Sequence, residues 1–332
     1  MGDKNIYVFN CHEVEQILEG KEKETVDIIK NAYLAHEEGK SSLPHSVFLR
    51  FPEDDKNRII GLPAYIELEK KMAGMKWISS FPANIEHGLE RASAILALNN
   101  MDNGHVEAIL ESSVISAKRT AASALLGAIY LHQNMEEDKV GMIGCGRINR
   151  EIMHYILSEF KKIKTIYLYD CGQKRAETFA EENKIDGIQF VIVDSVEEIF
   201  GACSLISCAT TAGTPYIQAV KNMNERTTVL GISLRDFAPE VMLQVHNIVD
   251  DLDHVCRERT SIHLTEQKTG NRDFVAGSIA QVVAGKVPAR ESGKGVIYSP
   301  FGLGILDVAL GNYVREHAEK DGLGTVIPNF LP

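Results

Sequence analysis

Two kinds of residue in this 332-residue chain can do chemistry: glycines at tight spacing, and basic side chains set among apolar ones. The glycines stand in Val140-Gly141-Met142-Ile143-Gly144-Cys145-Gly146-Arg147-Ile148-Asn149. An apolar strand that runs into Gly144 and Gly146 can turn tightly and approach a pyrophosphate, which then rests on the amides opening the next helix. Asn149 takes the place of the usual third glycine and is expected to loosen the packing of helix on strand. The following apolar segment, Thr165-Ile166-Tyr167-Leu168-Tyr169, ends at Asp170. An acid there accepts hydrogen bonds from both hydroxyls of an adenosine ribose and repels a 2′-phosphate, so the expected cofactor is NAD rather than NADP.

The basic residues are Arg50, Lys76, Arg91 and Arg119, each beside apolar neighbours rather than in a solvated charge run. Such side chains are almost never buried without a partner. They are candidates to hold the carboxylates of an acidic substrate, and pairing with an acid of the chain itself is the other outcome. The cluster Asp250-Asp251-x-Asp253-His254 lacks the glycine and closing glutamate of a calcium loop, and no HExxH occurs. It reads as a solvated strand end, and no metal is expected.

The elements that must position these residues follow from the apolar periodicity. From about Lys139 to about Ile297 strands and helices alternate. Apolar strand segments lie at Gln189 to Val193, Ser204 to Ala209, Val229 to Ser233 and Asn247 to Val249, with helices at Lys174 to Asn183 and, behind an Asp194-Ser195 cap, Ser195 to Gly201. That is a doubly wound α/β sheet, and ligands of such sheets bind beyond the carboxyl ends of the strands, which turns Thr210, Ser233 and Asp236 toward the cofactor. The first 120 residues alternate differently. Val47 to Phe51, Arg58 to Ala64, Met72 to Ser79 and Ser93 to Asn99 predict a mostly antiparallel sheet, with helices at Val14 to Gly39 and Arg119 to His132. A helix from Phe301 to Lys320 returns to this first domain. The expected division is 1–120 with 301–332 for one α+β domain and 121–300 for the Rossmann domain.

Composition agrees with a soluble globular protein: 44% of residues are hydrophobic and 24% charged. The net charge of −11 and the absence of a sustained basic run argue against nucleic acid and anionic membrane as partners. Met1 to Ile6 has no apolar signal segment, and the apolar run near Ala121 to Leu131 is too short to span a bilayer, so a cytoplasmic protein is expected. Its six cysteines show no CxxC pair and read as reduced thiols.

At Gly74-Met75-Lys76-Trp77, Gly88-Leu89-Glu90-Arg91-Ala92-Ser93, Ser116-Ala117-Lys118-Arg119-Thr120-Ala121-Ala122, Ile143-Gly144-Cys145-Gly146 and Gly302-Leu303-Gly304-Ile305-Leu306-Asp307, the chain resembles the ornithine cyclodeaminase and μ-crystallin family. These segments appear in family order and cover nearly the whole chain. The resemblance implies a homodimer built through the N-terminal β domain, a bound NAD, a substrate held at the interdomain cleft, and oxidation of an amino acid at Cα to an imine. It places Lys76 and Arg119 where the α-carboxylate is clamped. Arginine's fork makes Arg119 the better anchor, and Lys76 can also polarise or shuttle a proton.

Asp236 matches the family's catalytic acid and can take a proton from the water that attacks the imine, although an aspartate before Pro239 can also cap the next segment. For the cofactor, the resemblance adds Arg147, Ile148, Asp170, Thr210, the backbone from Leu230 to Ser233, and Gly302, where the chain passes close to the reacting ring. Phe301 lines the substrate pocket or else sits in the core. Arg50 is a further substrate candidate. Arg91 replaces a threonine of the cyclodeaminases, and the added cation binds an extra carboxylate or pairs with Glu90.

Glu240 stands where the cyclodeaminases place a lysine, which speaks against cyclisation of ornithine. Glu90-Arg91-Ala92-Ser93, Val249-Asp250-Asp251 and Cys256-Arg257-Glu258 look most like the branch that oxidises N-(2-amino-2-carboxyethyl)-L-glutamate in 2,3-diaminopropionate biosynthesis for siderophores and peptide antibiotics. That branch implies 2-oxoglutarate, L-2,3-diaminopropionate and NADH as products. Ornithine cyclodeaminase, an alanine or imine dehydrogenase, and a crystallin-like nucleotide binder without turnover are the alternatives.

Overall fold

Alternation of apolar and polar residues along the first third of the chain suits a sheet with one buried face, and the computed structural model, which describes residues 4–219 and 221–332, has such a sheet. The chain divides into two units, Met1–Arg119 with Leu303–Pro332, and Thr120–Gly302. In the first unit the strands are β1 (Ile6–Phe9), β2 (Ser41–Ser42), β3 (Val47–Phe51), β4 (Asp54–Glu67), β5 (Lys71–Ser80), β6 (Ala92–Asn99) and β7 (Val106–Glu111). The sheet runs from the C-terminal strand Thr325–Ile327 through β1, β7, β6, β5 and β4 to β2, with β3 also paired to β4. Only β1 and β7 pair in parallel; the other pairs are antiparallel.

One face of this sheet carries Ile66, Met72, Lys76, Leu96 and Leu98, all buried. The helix Gly304–Lys320 packs against β4, β5 and β6. It comes so close that a Cβ at Gly311 would clash with the Leu96 side chain. The opposite face is apolar and exposed: Val47, Gly61, Trp77 and Ile95 stand in register across β3 to β6, with Val47, Trp77 and Ile95 exposed. Where the sequence predicts one helix over Val14 to Gly39, there are two, Cys11–Leu18 and Glu22–Glu37, because Gly20 takes φ +67° and breaks the run. The helix expected from Arg119 begins earlier, at Ser113, and runs to Leu131.

In the second unit, β8 (Lys139–Ile143), β9 (Thr165–Tyr169), β10 (Gln189–Ile192), β11 (Leu205–Cys208), β12 (Thr228–Gly231), β13 (His246–Val249), β14 (Val275–Ser278) and β15 (Val296–Ser299) form a parallel sheet. Its order is β10-β9-β8-β11-β12-β15-β13-β14. Strands β11, β12 and β13 are buried at every residue, as a sheet covered on both faces requires. Strand order reverses between β8 and β11, the switch point beside which ligands of such sheets bind. The helices Arg147–Glu159, Gln173–Glu182 and Val196–Ala202 follow β8, β9 and β10, the last capped by Ser195, which accepts from the Glu198 amide at 3.3 Å. The edge strand β14 escapes the sequence pattern because Val275-Ala276-Gly277-Ser278 is too short and too small to stand out. No helix among the described residues is long and apolar enough to cross a membrane.

Candidate active site

In the first unit, Lys76 sits on the buried face of β5 and is 2% exposed. Its Nζ donates to both carboxylate oxygens of Asp307 at 2.8 Å and to Ser116 Oγ at 3.2 Å. Asp307 is fully buried in the first turn of the helix Gly304–Lys320, where the helix dipole favours an anion. Arg119 reaches the same carboxylate, Nε to Oδ1 at 3.3 Å, and its Nη2 donates to Ser116 Oγ at 3.3 Å. Ser116 and Arg119 lie three residues apart and therefore on one helix face. Burial pushes the Lys76 ammonium down to about 8, Arg119 adds to that shift, and Asp307 opposes it.

Pairing with an acid of the chain is thus realised for Lys76 and Arg119. The cluster nevertheless holds two cations against one carboxylate, which suits it to one further anion. Asp307 is the partner that the sequence left without a role. Its signal was legible: it is the one charged residue between Gly302 and Gly311. Arg50 and Arg91 do not join this cluster. Arg50 lies exposed on β3 with its guanidinium 5.4 Å from the Phe48 ring centroid, and Arg91 immediately precedes β6.

In the second unit, Gly144 has φ +92°, and a Cβ there would lie 2.5 Å from the Ala209 carbonyl oxygen, so only glycine fits. At Gly146 a Cβ would meet nothing within 4 Å. Gly146 is also the N-cap of the helix Arg147–Glu159, and no side chain caps that end. Open space in front of uncapped helix amides is what a pyrophosphate needs. Arg147 and Ile148 open the helix, half-buried. Asn149 overturns the expectation of loosened packing. It is fully buried, donates from Nδ2 to the carbonyls of Ile143 at 2.9 Å and Gly144 at 2.7 Å, and accepts from Ser207 Oγ at 2.6 Å.

Asp170 follows β9. Its Oδ2 accepts from the Cys145 amide at 2.9 Å, which braces the glycine loop and leaves a lone pair there for a ribose hydroxyl, while its Oδ1 accepts from the Gly172 amide at 2.8 Å and from Cys171 Sγ at 3.7 Å and pairs with Arg175 at 3.5 Å. Burial raises the Cys145 thiol to about 12, so this cysteine is held neutral.

At the ends of β11 and β12 the structure gathers Thr210, Ser233 and Asp236. Asp236 is 1% exposed and accepts from the hydroxyls of Thr210 and Ser233 and from Cys208 Sγ at 3.2 Å. Ser233 Oγ in turn accepts from the Thr210 amide at 3.0 Å. Cys208 was not anticipated; burial and the neighbouring Asp236 keep it a neutral donor. Leu230 stands inside the ladder of β12, wholly buried between β11 and β15.

The reading of Asp250 as part of a solvated strand end is corrected. Asp250 is 2% exposed and accepts from the backbone amides of Phe301 at 2.9 Å and Gly302 at 2.7 Å, while burial raises its carboxyl and these amides oppose the shift. Asp251 caps the short helix Leu252–Val255. Phe301 is half-buried and packs on the hydrophobic core of this unit, and Gly302 follows with φ +92°. Glu240 is exposed and paired with Lys268.

A parallel sheet in this order, with a glycine loop, an uncapped helix and a closing acid at its switch point, defines a Rossmann-type α/β protein. The chain belongs to the ornithine cyclodeaminase/mu-crystallin family, whose family model matches residues 5–322. It is 26% identical to N-((2S)-2-amino-2-carboxyethyl)-L-glutamate dehydrogenase of Staphylococcus aureus, over 98% of this chain and 99% of that protein. Among solved structures, Delta(1)-pyrroline-2-carboxylate reductase of Thermococcus litoralis, in complex with NADH and L-proline, superposes with a TM-score of 0.89 at 25% identity over 96% of this chain and 99% of that one. An archaeal alanine dehydrogenase dimer with bound NAD gives a TM-score of 0.86 at 25% identity over 97% and 99%.

Proposed function

We propose that this chain is an NAD-dependent amino-acid dehydrogenase that oxidises N-(2-amino-2-carboxyethyl)-L-glutamate at the glutamate Cα. Substrate, NAD and water give 2-oxoglutarate, L-2,3-diaminopropionate, NADH and a proton. The observation that carries this reading is the surplus cation of the Lys76, Arg119 and Asp307 cluster, supported by the likeness to the Staphylococcus aureus dehydrogenase. Gly144, Gly146, Arg147 and Ile148 would hold the pyrophosphate of NAD, Asp170 the adenosine ribose, and Thr210, Ser233 and Gly302 the nicotinamide end, with Leu230 buried in the strand that leads to Ser233. Bound there, NAD accepts the hydride from Cα.

The chain's own residues do the rest. Arg119 and Lys76 hold the α-carboxylate and fix the face that Cα presents. With its ammonium near 8, Lys76 exchanges a proton with the substrate nitrogen at neutral pH. Asp236 removes a proton from the water that attacks the imine carbon, by way of the Ser233 and Thr210 hydroxyls bonded to it. Arg50 and Arg91 meet the remaining carboxylates, and Phe301 borders the substrate. The exposed row of Val47, Trp77 and Ile95 is where a second copy would cover the sheet, giving a homodimer. A cytoplasmic location completes the reading.

The test is the stoichiometry of NADH. One NADH per conjugate consumed is expected, with little from L-alanine. With L-ornithine no net NADH is expected, and the surface pair of Glu240 with Lys268, in place of the cyclodeaminase lysine, speaks against proline formation. NADH from L-alanine but none from the conjugate would overturn the assignment.

A further inference from the structure

We infer that the turn 257–261 is the template that holds Asp236 in place, with Arg235 and Ser261 as its positioning residues; this rests on the reading of Asp236 as the base of the reaction. Segment 232–238 lies between β12 and the short helix Pro239–Met242, so no long element of its own gives it a shape. The carboxylate of Asp236 is held by Thr210, Ser233 and Cys208, and its carbonyl accepts from the amides of Tyr216 at 3.1 Å and Ile217 at 2.9 Å. Its flanks are held by the turn. The Ser261 amide donates to the Leu234 carbonyl at 2.8 Å, Arg235 Nη2 donates to the Glu258 carbonyl at 2.9 Å, and the Phe237 amide donates to Ser261 Oγ at 3.2 Å. Residues on both sides of Asp236 therefore take their position from one turn 23 to 24 places further along the chain.

The backbone of that turn is strained. Glu258 and Arg259 both have φ +54°, the one adjacent pair of non-glycine residues with positive φ among the described residues. Neither carries the short polar side chain that lets asparagine or aspartate visit the left-handed region. A conformation of this kind lasts only where its surroundings over-determine it, and it gathers at functional sites. The surroundings are on hand. The Thr260 amide donates to the Arg257 carbonyl at 3.1 Å, the Arg259 amide to His263 Nδ1 at 3.1 Å, and Thr260 Oγ1 accepts from the His263 amide at 3.0 Å as the N-cap of the helix Ser261–Thr269. That helix is anchored by Ile262 and Thr265, both fully buried. The turn is thus fixed from the helix side, and Arg235 ties it to the loop that carries the acid. A charge-assisted bond to a carbonyl is stronger than a neutral one, which suits Arg235 to hold a strained turn against the segment beside it.

Two measurements on the full chain test this. In hydrogen–deuterium exchange, the peptide 232–238 of Arg235→Met should exchange roughly 10- to 100-fold faster than in the wild type, the worth of a charge-assisted hydrogen bond. In turnover of N-(2-amino-2-carboxyethyl)-L-glutamate, the same variant should lose roughly 10- to 100-fold in kcat, as a slightly misplaced catalytic group does, while NADH fluorescence still reports a folded nucleotide site. Arg235→Lys should recover part of both, and Ser261→Ala should show a smaller loss of the same kind. In an Asp236→Asn background Arg235→Met should have little further effect on kcat, because it acts through the acid already removed. Unchanged exchange in Arg235→Met overturns the template, and so does a kcat loss that adds in full to that of Asp236→Asn. If Asp236→Asn turns over like the wild type, or the wild type makes no NADH from the conjugate, the reading of Asp236 as the base has failed instead, and the exchange rates still decide whether the turn holds its loop.

Discussion

In the proposed function the glycine loop of the second unit and the Lys76 cluster of the first each meet an anion, by opposite means. The loop uses backbone: Gly144 bends, Gly146 leaves room, and helix amides face outward, all within a few residues of sequence. The cluster uses charged side chains that topology brings together, with Lys76 and Asp307 separated by 231 positions and Arg119 and Asp307 by 188. A site made of backbone is sensitive to added atoms. A site made of buried charge is sensitive to lost ones, since each ion there is tolerable only while its partner stays.

The largest expected effect breaks the charged site. Asp307→Asn strands two cations in the interior and should cost about 3–5 kcal/mol of unfolding free energy, read from denaturant melts. Adding Lys76→Met should restore part of it, and additive costs in the double variant would argue against the pairing.

The backbone site should respond to bulk in two different ways. Gly144→Ala forces a side chain into a left-handed conformation against the Ala209 carbonyl and should cost about 1–3 kcal/mol, with loss of NAD binding. Gly146→Ala meets no protein atom, so it should melt with the wild type yet bind NAD more weakly. If both variants behave alike, the open space at Gly146 has no part in binding.

The smallest effect is one of pH. Lys76 loses its proton near 8 in the folded protein, against 10.5 ordinarily. Between those values the unfolded chain binds the extra proton, so stability should rise with pH while affinity for a carboxylate substrate falls. Lys76→Arg should keep substrate affinity constant across that range, and an unchanged profile in the variant would remove Lys76 from the anion site.

The same contrast explains what was legible in the sequence. The loop from Val140 to Asn149, Asp170 and the strands β8 to β13 of the second unit could be read because their signals are local. Thr210, Ser233 and Asp236 followed from one rule about strand ends, and they do converge. Asp307 was passed over because it is one residue whose meaning depends on distant strands. Asp250 was misjudged for a related reason: a run of acids looks solvated until the returning chain at Phe301 and Gly302 closes over it. Gly20 shows the limit of periodicity, which continues across a left-handed break that the backbone does not.

Asn149 bears on how such loops are sought. A pattern search that insists on a third glycine would discard this chain, although the amide at that position ties the loop to its own strand and to Ser207, 58 residues later. The two positions form one lock, yet they are unequal: replacing Asn149 removes three hydrogen bonds and should disturb the nucleotide loop more than replacing Ser207, which removes one of them. A fingerprint built on the asparagine and the distant hydroxyl would recover loops that glycine counting leaves behind.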